Sequence, residues 1–166
     1  MTLPIPEGLP SAMEHRPGQT VDVRIKLLSP RATLPAYQSA GAAGMDLAAC
    51  LPEGGPVVIP QGGIVRVPLG FAVSFPAGYE LQIRPRSGLA SKHGITIPNA
   101  PGTVDCDYRG EMIVALINLG QQPFTIEHGM RIAQMVLAPV CRARLEIAEN
   151  LDETARGTGG FGSTGR

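Results

Sequence analysis

The chain offers its densest reactive chemistry in Gly102-Thr103-Val104-Asp105-Cys106-Asp107-Tyr108-Arg109-Gly110-Glu111. Two carboxylates stand two residues apart, beside an aromatic ring and a guanidinium. A carboxylate held at the lip of a core can take a proton from water, and a neighbouring guanidinium can hold an anion. If the segment is extended, the period-two geometry of a strand puts Asp105 and Asp107 on one face and Cys106 and Tyr108 on the other. A turn at Arg109-Gly110 would fold it into a hairpin with the apolar run Met112–Ile117, which reads as a buried strand. Asp, Tyr and Gly are also common turn residues, so on local grounds a solvated structural turn stays open beside a reactive site.

Four further stretches carry usable groups. Ala40-Gly41-Ala42-Ala43-Gly44-Met45-Asp46-Leu47 combines small residues, which permit close backbone approach, with Asp46 at the start of an apolar run. In Arg84-Pro85-Arg86-Ser87-Gly88-Leu89-Ala90-Ser91, Ser87 can cap a short helix reaching about His93 and, beside Arg86, make an anion site. Arg131–Leu137 alternates as a strand, with Arg131, Ala133, Met135 and Leu137 on one face. Gln134 lies on the other, between Ile132 and Val136, and needs either an interstrand partner or a ligand. The stretch from Arg156 to Arg166 holds five glycines in eleven residues. Its accessible amides, with Ser163, Thr164 and arginine, can wrap phosphates, and Phe161 can stack on a base. A Walker A loop is excluded there because it has no lysine and no following helix. Asn99 adds an amide that offers both donor and acceptor close to the central segment.

These groups need a scaffold, and the chain spells one of short strands. The first confident strand is Val21–Leu27. Val57–Ile59, Ile64–Val67, Phe71–Val73, Glu80–Arg84 and Phe124–Ile126 follow, separated by Pro and Gly. No long amphipathic helix interrupts them, which argues an all-β barrel or sandwich-like fold. With 166 residues the chain has room for one domain and a sizeable core. Residues 1–20, with four prolines, read as a mobile arm outside a core of 21–150, and 151–166 form the glycine-rich tail.

Formal net charge is zero, and no basic stripe supports nucleic-acid or anionic-membrane binding. Only 17% of residues are charged, which suits a chain that buries much of its surface in an oligomer. Of the basic residues only Lys26 and Lys92 are lysines. Cys50, Cys106 and Cys141 are widely spaced, odd in number and without a CxxC, as expected of reduced, mostly buried thiols in a cytosolic protein. His15, His93 and His128 lack metal-ligand spacing. No apolar run is long enough to span a bilayer, and the N-terminal residues read as neither signal nor transit peptide.

In order and spacing, Ala40–Leu47, Pro85–Ala90, Gly102–Glu111, Arg131–Val136 and Arg156–Gly165 resemble the five motifs of the homotrimeric deoxyuridine triphosphatases, over roughly residues 21–166. The resemblance implies a β-clip or jelly-roll-like subunit with one short helix. It implies a threefold trimer whose sites draw on all three chains, the glycine-rich segment 151–166 closing as a lid over a neighbour's site. It implies hydrolysis of dUTP to dUMP and pyrophosphate with Mg²⁺ held by phosphates and water. Such an activity supplies dUMP for thymidylate synthesis, keeps uracil out of DNA and belongs in the cytoplasm.

By matching position, Asp105 would deprotonate the attacking water and Gln134 would help hold water and phosphate. Tyr108 would pack on deoxyribose and exclude a 2′-hydroxyl. Asn99 and the backbone at Thr103, Val104 and Ile113 would read uracil. Arg86, Ser87 and Gly88 would contact phosphates. Arg156, Phe161, Gly162, Ser163 and Thr164 would close the lid, and Asp46 would support the site floor. Met45 and Cys106 fall at variable positions. A dCTP deaminase-like enzyme and a non-catalytic nucleotide sensor are the alternatives on the same scaffold. The Asp-x-Asp-Tyr segment and the full glycine tail favour the phosphatase.

Overall fold

The structure, a computed structural model, describes residues 20–53 and 55–160. These fall in two compact units, residues 20–141 and residues 142–160.

The first unit is built from strands. Their order is β1 (Arg24–Leu27), β2 (Ala36–Tyr37), β3 (Met45–Ala48), β4 (Val57–Ile59), β5 (Ile64–Ser74) and β6 (Tyr79–Pro85). Helix α1 (Ser87–His93) follows, then β7 (Ile95–Thr96), β8 (Gly102–Val104), β9 (Glu111–Asn118), β10 (Phe124–Ile126) and β11 (Arg131–Pro139). One sheet runs β1-β5-β9-β7, a second runs β2-β3-β11-β6-β8, and β4 pairs with β10; every pairing is antiparallel. Among the described residues this is an all-β, jelly-roll-like architecture with one short helix.

Alternating side chains from both larger sheets meet in a single core. Val67, Leu69, Phe71, Met112, Val114 and Leu116 come from one sheet, and Leu47, Leu81, Ile83, Ile132, Ala133 and Met135 from the other. Removing this apolar surface from water is the principal force that holds the sheets together. The run in β9 is buried on one side only. Met112, Val114, Leu116 and Asn118 point inward, while Ile113, Ala115 and Ile117 are partly exposed. Asn118 is the one fully buried polar side chain among the described residues. Its amide donates to the Ile59 and Gln122 carbonyls at 3.0 and 2.8 Å and accepts from the Gly120 amide at 2.9 Å, so its burial is compensated.

Several expectations need correction. Pro68 and Gly70 do not divide β5. Leu69, Gly70 and Phe71 stand opposite Met112 alone, so a bulge absorbs them, and Gly70 takes a φ of +75° that few other residues tolerate. β1 begins at Arg24, three residues later than the alternation suggests. The strand alternation of β11 breaks at a register shift between Arg131 and Ala133, so Ile132 and Ala133 are both buried. Of the cysteines only Cys50 is buried; Cys106 is half-buried and Cys141 exposed.

Candidate active site

The central segment is a turn between sheets. β8 pairs with β6, whereas β9 pairs with β5 and β7. The chain leaves β8 at Val104 and turns at once, the Tyr108 amide donating to the Asp105 carbonyl at 3.1 Å. It then crosses into the other sheet. The expected hairpin at Arg109-Gly110 is therefore absent, and the period-two placement of Asp105 and Asp107 does not apply, because that stretch is not extended. Asp105 and Asp107 are both exposed. The Tyr108 hydroxyl donates to the Glu111 carbonyl at 2.9 Å, and the ring lies so close over Gly110 that a Cβ there would collide with it. Arg109 Nη1 donates to the carbonyls of Cys106 and Tyr108 at 2.7 and 2.8 Å, bracing the turn from outside.

A second group of side chains gathers at one end of β3, β11 and β6. Register places Asp46 opposite Gln134, and Gln134 opposite Arg84. Paired residues share a sheet face. The Asp46 carboxylate accepts from Arg131 Nη1 at 3.0 Å and lies 3.5 Å from Arg86 Nε. Arg86 Nη1 donates to the Arg131 carbonyl at 2.9 Å, and Arg131 Nη1 also donates to Gln38 Oε1 at 3.0 Å. Gln134 Nε2 donates to the Pro85 carbonyl at 3.1 Å, so the interstrand partner its position demanded is present. A Cβ on Gly44 would lie 2.6 Å from Gln134 Oε1, which explains a small residue at that place. Asp46 is thus the anchor of two guanidinium groups. An open cleft beside this cluster is lined by Gln82, Arg84, Pro85, Ala100, Pro101 and Gln134.

Ser87 does not cap the helix. Arg86 is the N-cap residue, with extended backbone and no side-chain capping bond, while Ser87 is the first helical residue and, like Gly88, is exposed. The helix itself runs to His93 as expected and ends on Gly94 in the left-handed conformation. Asn99 is exposed in the turn before β8, its Nδ2 3.6 Å from where a Gly102 Cβ would sit. Thr103 pairs with Gln82 and Val104 with Leu81, and Ile113 is 37% exposed on the outer side of β9.

In the second unit, Arg156 Nε donates to the Gly159 carbonyl at 2.8 Å, and the Gly157 amide donates to Thr154 Oγ1 and to the Thr154 carbonyl. Phe161, Gly162, Ser163 and Thr164 lie outside the described residues.

The structure therefore brings Asp46, Arg86 and Gln134 together and leaves Asp105 apart from them. Val104 is level with Leu81, and Arg86 lies five residues further on, just past the end of β6. At about 3.3 Å per residue that is a separation of roughly 16 Å along the strand, and Asp105 lies beyond Val104 on the far side. Sequence reasoning missed Arg131 and Gln38 as partners of the cluster. The available signal was an arginine heading the strand that carries Gln134.

An all-β subunit with a guanidinium–carboxylate cluster at one sheet end and an exposed acidic turn at the other defines a protein equipped to hold an anionic ligand. The family model for dUTPase matches residues 30–165, and the chain belongs to the dUTPase family. It is 58% identical over 148 residues to a deoxyuridine 5′-triphosphate nucleotidohydrolase from Maricaulis maris, a match covering 88% of this chain and 97% of that protein. Among solved structures it is similar to a mutant dUTPase of Staphylococcus bacteriophage 80alpha with dUpNHpp. That match has a TM-score of 0.78 and 26% identity, and covers 87% of this chain and 99% of the other. It also shares its fold with a mutant dUTPase from phage phi11 of S. aureus, described as coordinating a structural Mg(II) ion. There the TM-score is 0.69 at 23% identity, over 80% of this chain and 99% of that one.

Proposed function

We propose that this chain hydrolyses dUTP to dUMP and pyrophosphate in a homotrimer with shared sites. The observation that carries the reading is the cluster of Asp46, Arg86, Arg131 and Gln134. It unites three of the family's motif stretches at one sheet end.

In this reading Arg86, with Ser87 and Gly88 at the exposed start of α1, receives the phosphates. Asp46 holds the guanidinium planes in place beforehand, so little side-chain freedom is lost on binding. The water oxygen bonds to the α-phosphorus, the bond from that phosphorus to the bridging oxygen of the β-phosphate breaks, and pyrophosphate leaves. Asp105 takes the proton from the water, a contribution of typically ~10²–10⁴-fold. Gln134 orients water and phosphate. Tyr108 packs on the deoxyribose, and Asn99 with the backbone at Thr103, Val104 and Ile113 reads the uracil edge.

Two features support a shared site. The roughly 16 Å or more of backbone between Asp105 and Arg86 along one subunit favours a second copy completing the constellation. Leu145, Ile147 and Leu151 are each more than three-quarters exposed, apolar surface suited to burial on a neighbouring copy. Segment 151–166 then serves as the lid, with Arg156, Phe161, Gly162, Ser163 and Thr164 over base and γ-phosphate, while 21–150 form the core and 1–20 an arm outside it.

Among the described residues no group of three His, Cys, Asp or Glu side chains could hold a metal ion. In this reading oxygens of the triphosphate and water are the ligands of Mg²⁺, which when bound would offset phosphate charge. Among the described residues no helix is long and apolar enough to cross a membrane. Cytoplasmic dUMP supply and removal of dUTP before it enters DNA complete the reading, with no nucleic-acid or membrane partner.

The test is pyrophosphate release from dUTP, dTTP, dCTP and UTP with Mg²⁺, in parallel. Release from dUTP alone is expected. Tight dUTP binding without release from any nucleotide would replace the enzyme with a sensor, and ammonia release from dCTP would point to a deaminase.

A further inference from the structure

The turn that carries Asp105 and Tyr108 ends on a side chain that ties it to strand β5 and needs no contact with substrate. Glu111 opens β9 directly after the turn. Its Oε1 accepts from the Gly70 amide at 3.0 Å. That amide belongs to the β5 bulge, where Leu69, Gly70 and Phe71 face Met112 alone and the regular ladder cannot use it. The Gly70 carbonyl is fixed as well, accepting from the amides of Leu28 and Ser29 at 2.8 and 3.0 Å. The bulge is therefore a rigid post, and Glu111 is clamped to it from the neighbouring strand. The main-chain carbonyl of the same residue receives the Tyr108 hydroxyl at 2.9 Å. Gly110, between them, has no side chain to push the ring away. One residue thus joins the bulge by its carboxylate and the tyrosine ring by its carbonyl.

We propose that Glu111 is a positioning residue for sugar selection: its bond to Gly70 fixes the carbonyl that holds Tyr108 in the pose excluding a 2′-hydroxyl. The inference rests on the reading of Tyr108 as the sugar gate. If the carboxylate is removed, the Gly70 amide loses its acceptor, the start of β9 can shift, and the ring loses its fixed anchor. A ribose then meets less resistance than in the native site, while deoxyribose gains nothing.

The experiment compares kcat/KM for UTP and for dUTP in the full-length protein and in Glu111→Ala, Glu111→Gln and Glu111→Met. The UTP-to-dUTP ratio is the readout, because a change in the fraction of folded enzyme cancels from it. Glu111→Ala is expected to raise that ratio roughly 10-fold or more, since displacement on the order of 1 Å is enough to spoil a positioned contact. Glu111→Gln, which keeps an acceptor oxygen, is expected to restore the native ratio. Glu111→Met preserves the length of the stem without that oxygen. It should behave like the alanine variant and serves if alanine does not yield folded protein. An unchanged ratio in the variants lacking the oxygen would overturn the proposal, as would a glutamine variant as permissive as alanine. A native protein that turned over UTP as fast as dUTP would instead remove the gate itself, and this inference with it.

Discussion

The two halves of the candidate site differ in how completely one copy of the chain builds them. At the end of β3, β6 and β11, Asp46, Arg86, Arg131 and Gln38 are joined by hydrogen bonds and ion pairs, and Gln134 beside them is held to the Pro85 carbonyl. At the turn after β8, Asp105 and Asp107 are exposed, and the described bonds hold the backbone and Tyr108 rather than either carboxylate. The first half resembles a receptor prepared for a fixed polyanion. The second offers two carboxylates and a ring at the surface, which the proposed function makes the base and the sugar gate. Preorganised charge belongs where binding must be strong. A carboxylate that takes a proton gains its precision only when substrate and partner surround it.

Four perturbations break or sharpen this contrast. The largest effect is expected from Asp105→Asn, which should lower turnover at least ~10²-fold while nucleotide binding persists; equilibrium binding measured beside single-turnover kinetics separates the two. Truncation before Arg156 comes next. It should leave the assembly intact by light scattering and reduce turnover by on the order of 10–10²-fold through lost alignment. Asp46→Asn removes the charge that holds two guanidinium groups, and should cost about 10-fold in kcat/KM, with affinity for pyrophosphate reduced in parallel. Asn118→Ala lies far from both halves. It strands buried backbone groups at about 1–3 kcal/mol, lowering the melting temperature without altering kcat of the folded fraction. Loss of activity in that variant at temperatures where it remains folded would show that the core and the site are not separable.

The strands were legible between Pro and Gly, β6 from the alternation of Glu80–Arg84 and β9 from its unbroken apolar run Met112–Ile117. Helix α1 was expected from Ser87 as its cap; the helix is there, but Arg86 takes the cap position and Gly94 ends it. What failed was sheet membership. The segment from Gly102 and the run Met112–Ile117 read as two arms of one hairpin turning at Arg109-Gly110, because adjacency along the chain was the pairing cue at hand. The structure sends them to different sheets, since Thr103 finds Gln82 on β6 and Ile113 finds Pro68 on β5. The bulge at Gly70 was hidden for a related reason, a glycine two residues after Pro68 reading as a break when a neighbouring carboxylate can hold it in a strand. At the site, Asp46 was assigned to the floor by motif alone. Its partner Arg131 is 85 residues distant in sequence, a separation no spacing rule bridges.

The most direct test of a site completed between copies is complementation. Asp105→Asn and Arg86→Ala are purified separately, each nearly inactive, then mixed, dissociated and reassembled. If Asp105 of one copy serves the arginine cluster of another, about a quarter of the sites in randomly mixed cyclic trimers regain both groups, and dUTP hydrolysis returns to a matching fraction of the native rate. Reassembled mixtures that remain as inactive as their parents would place both groups in a single copy and contradict the account.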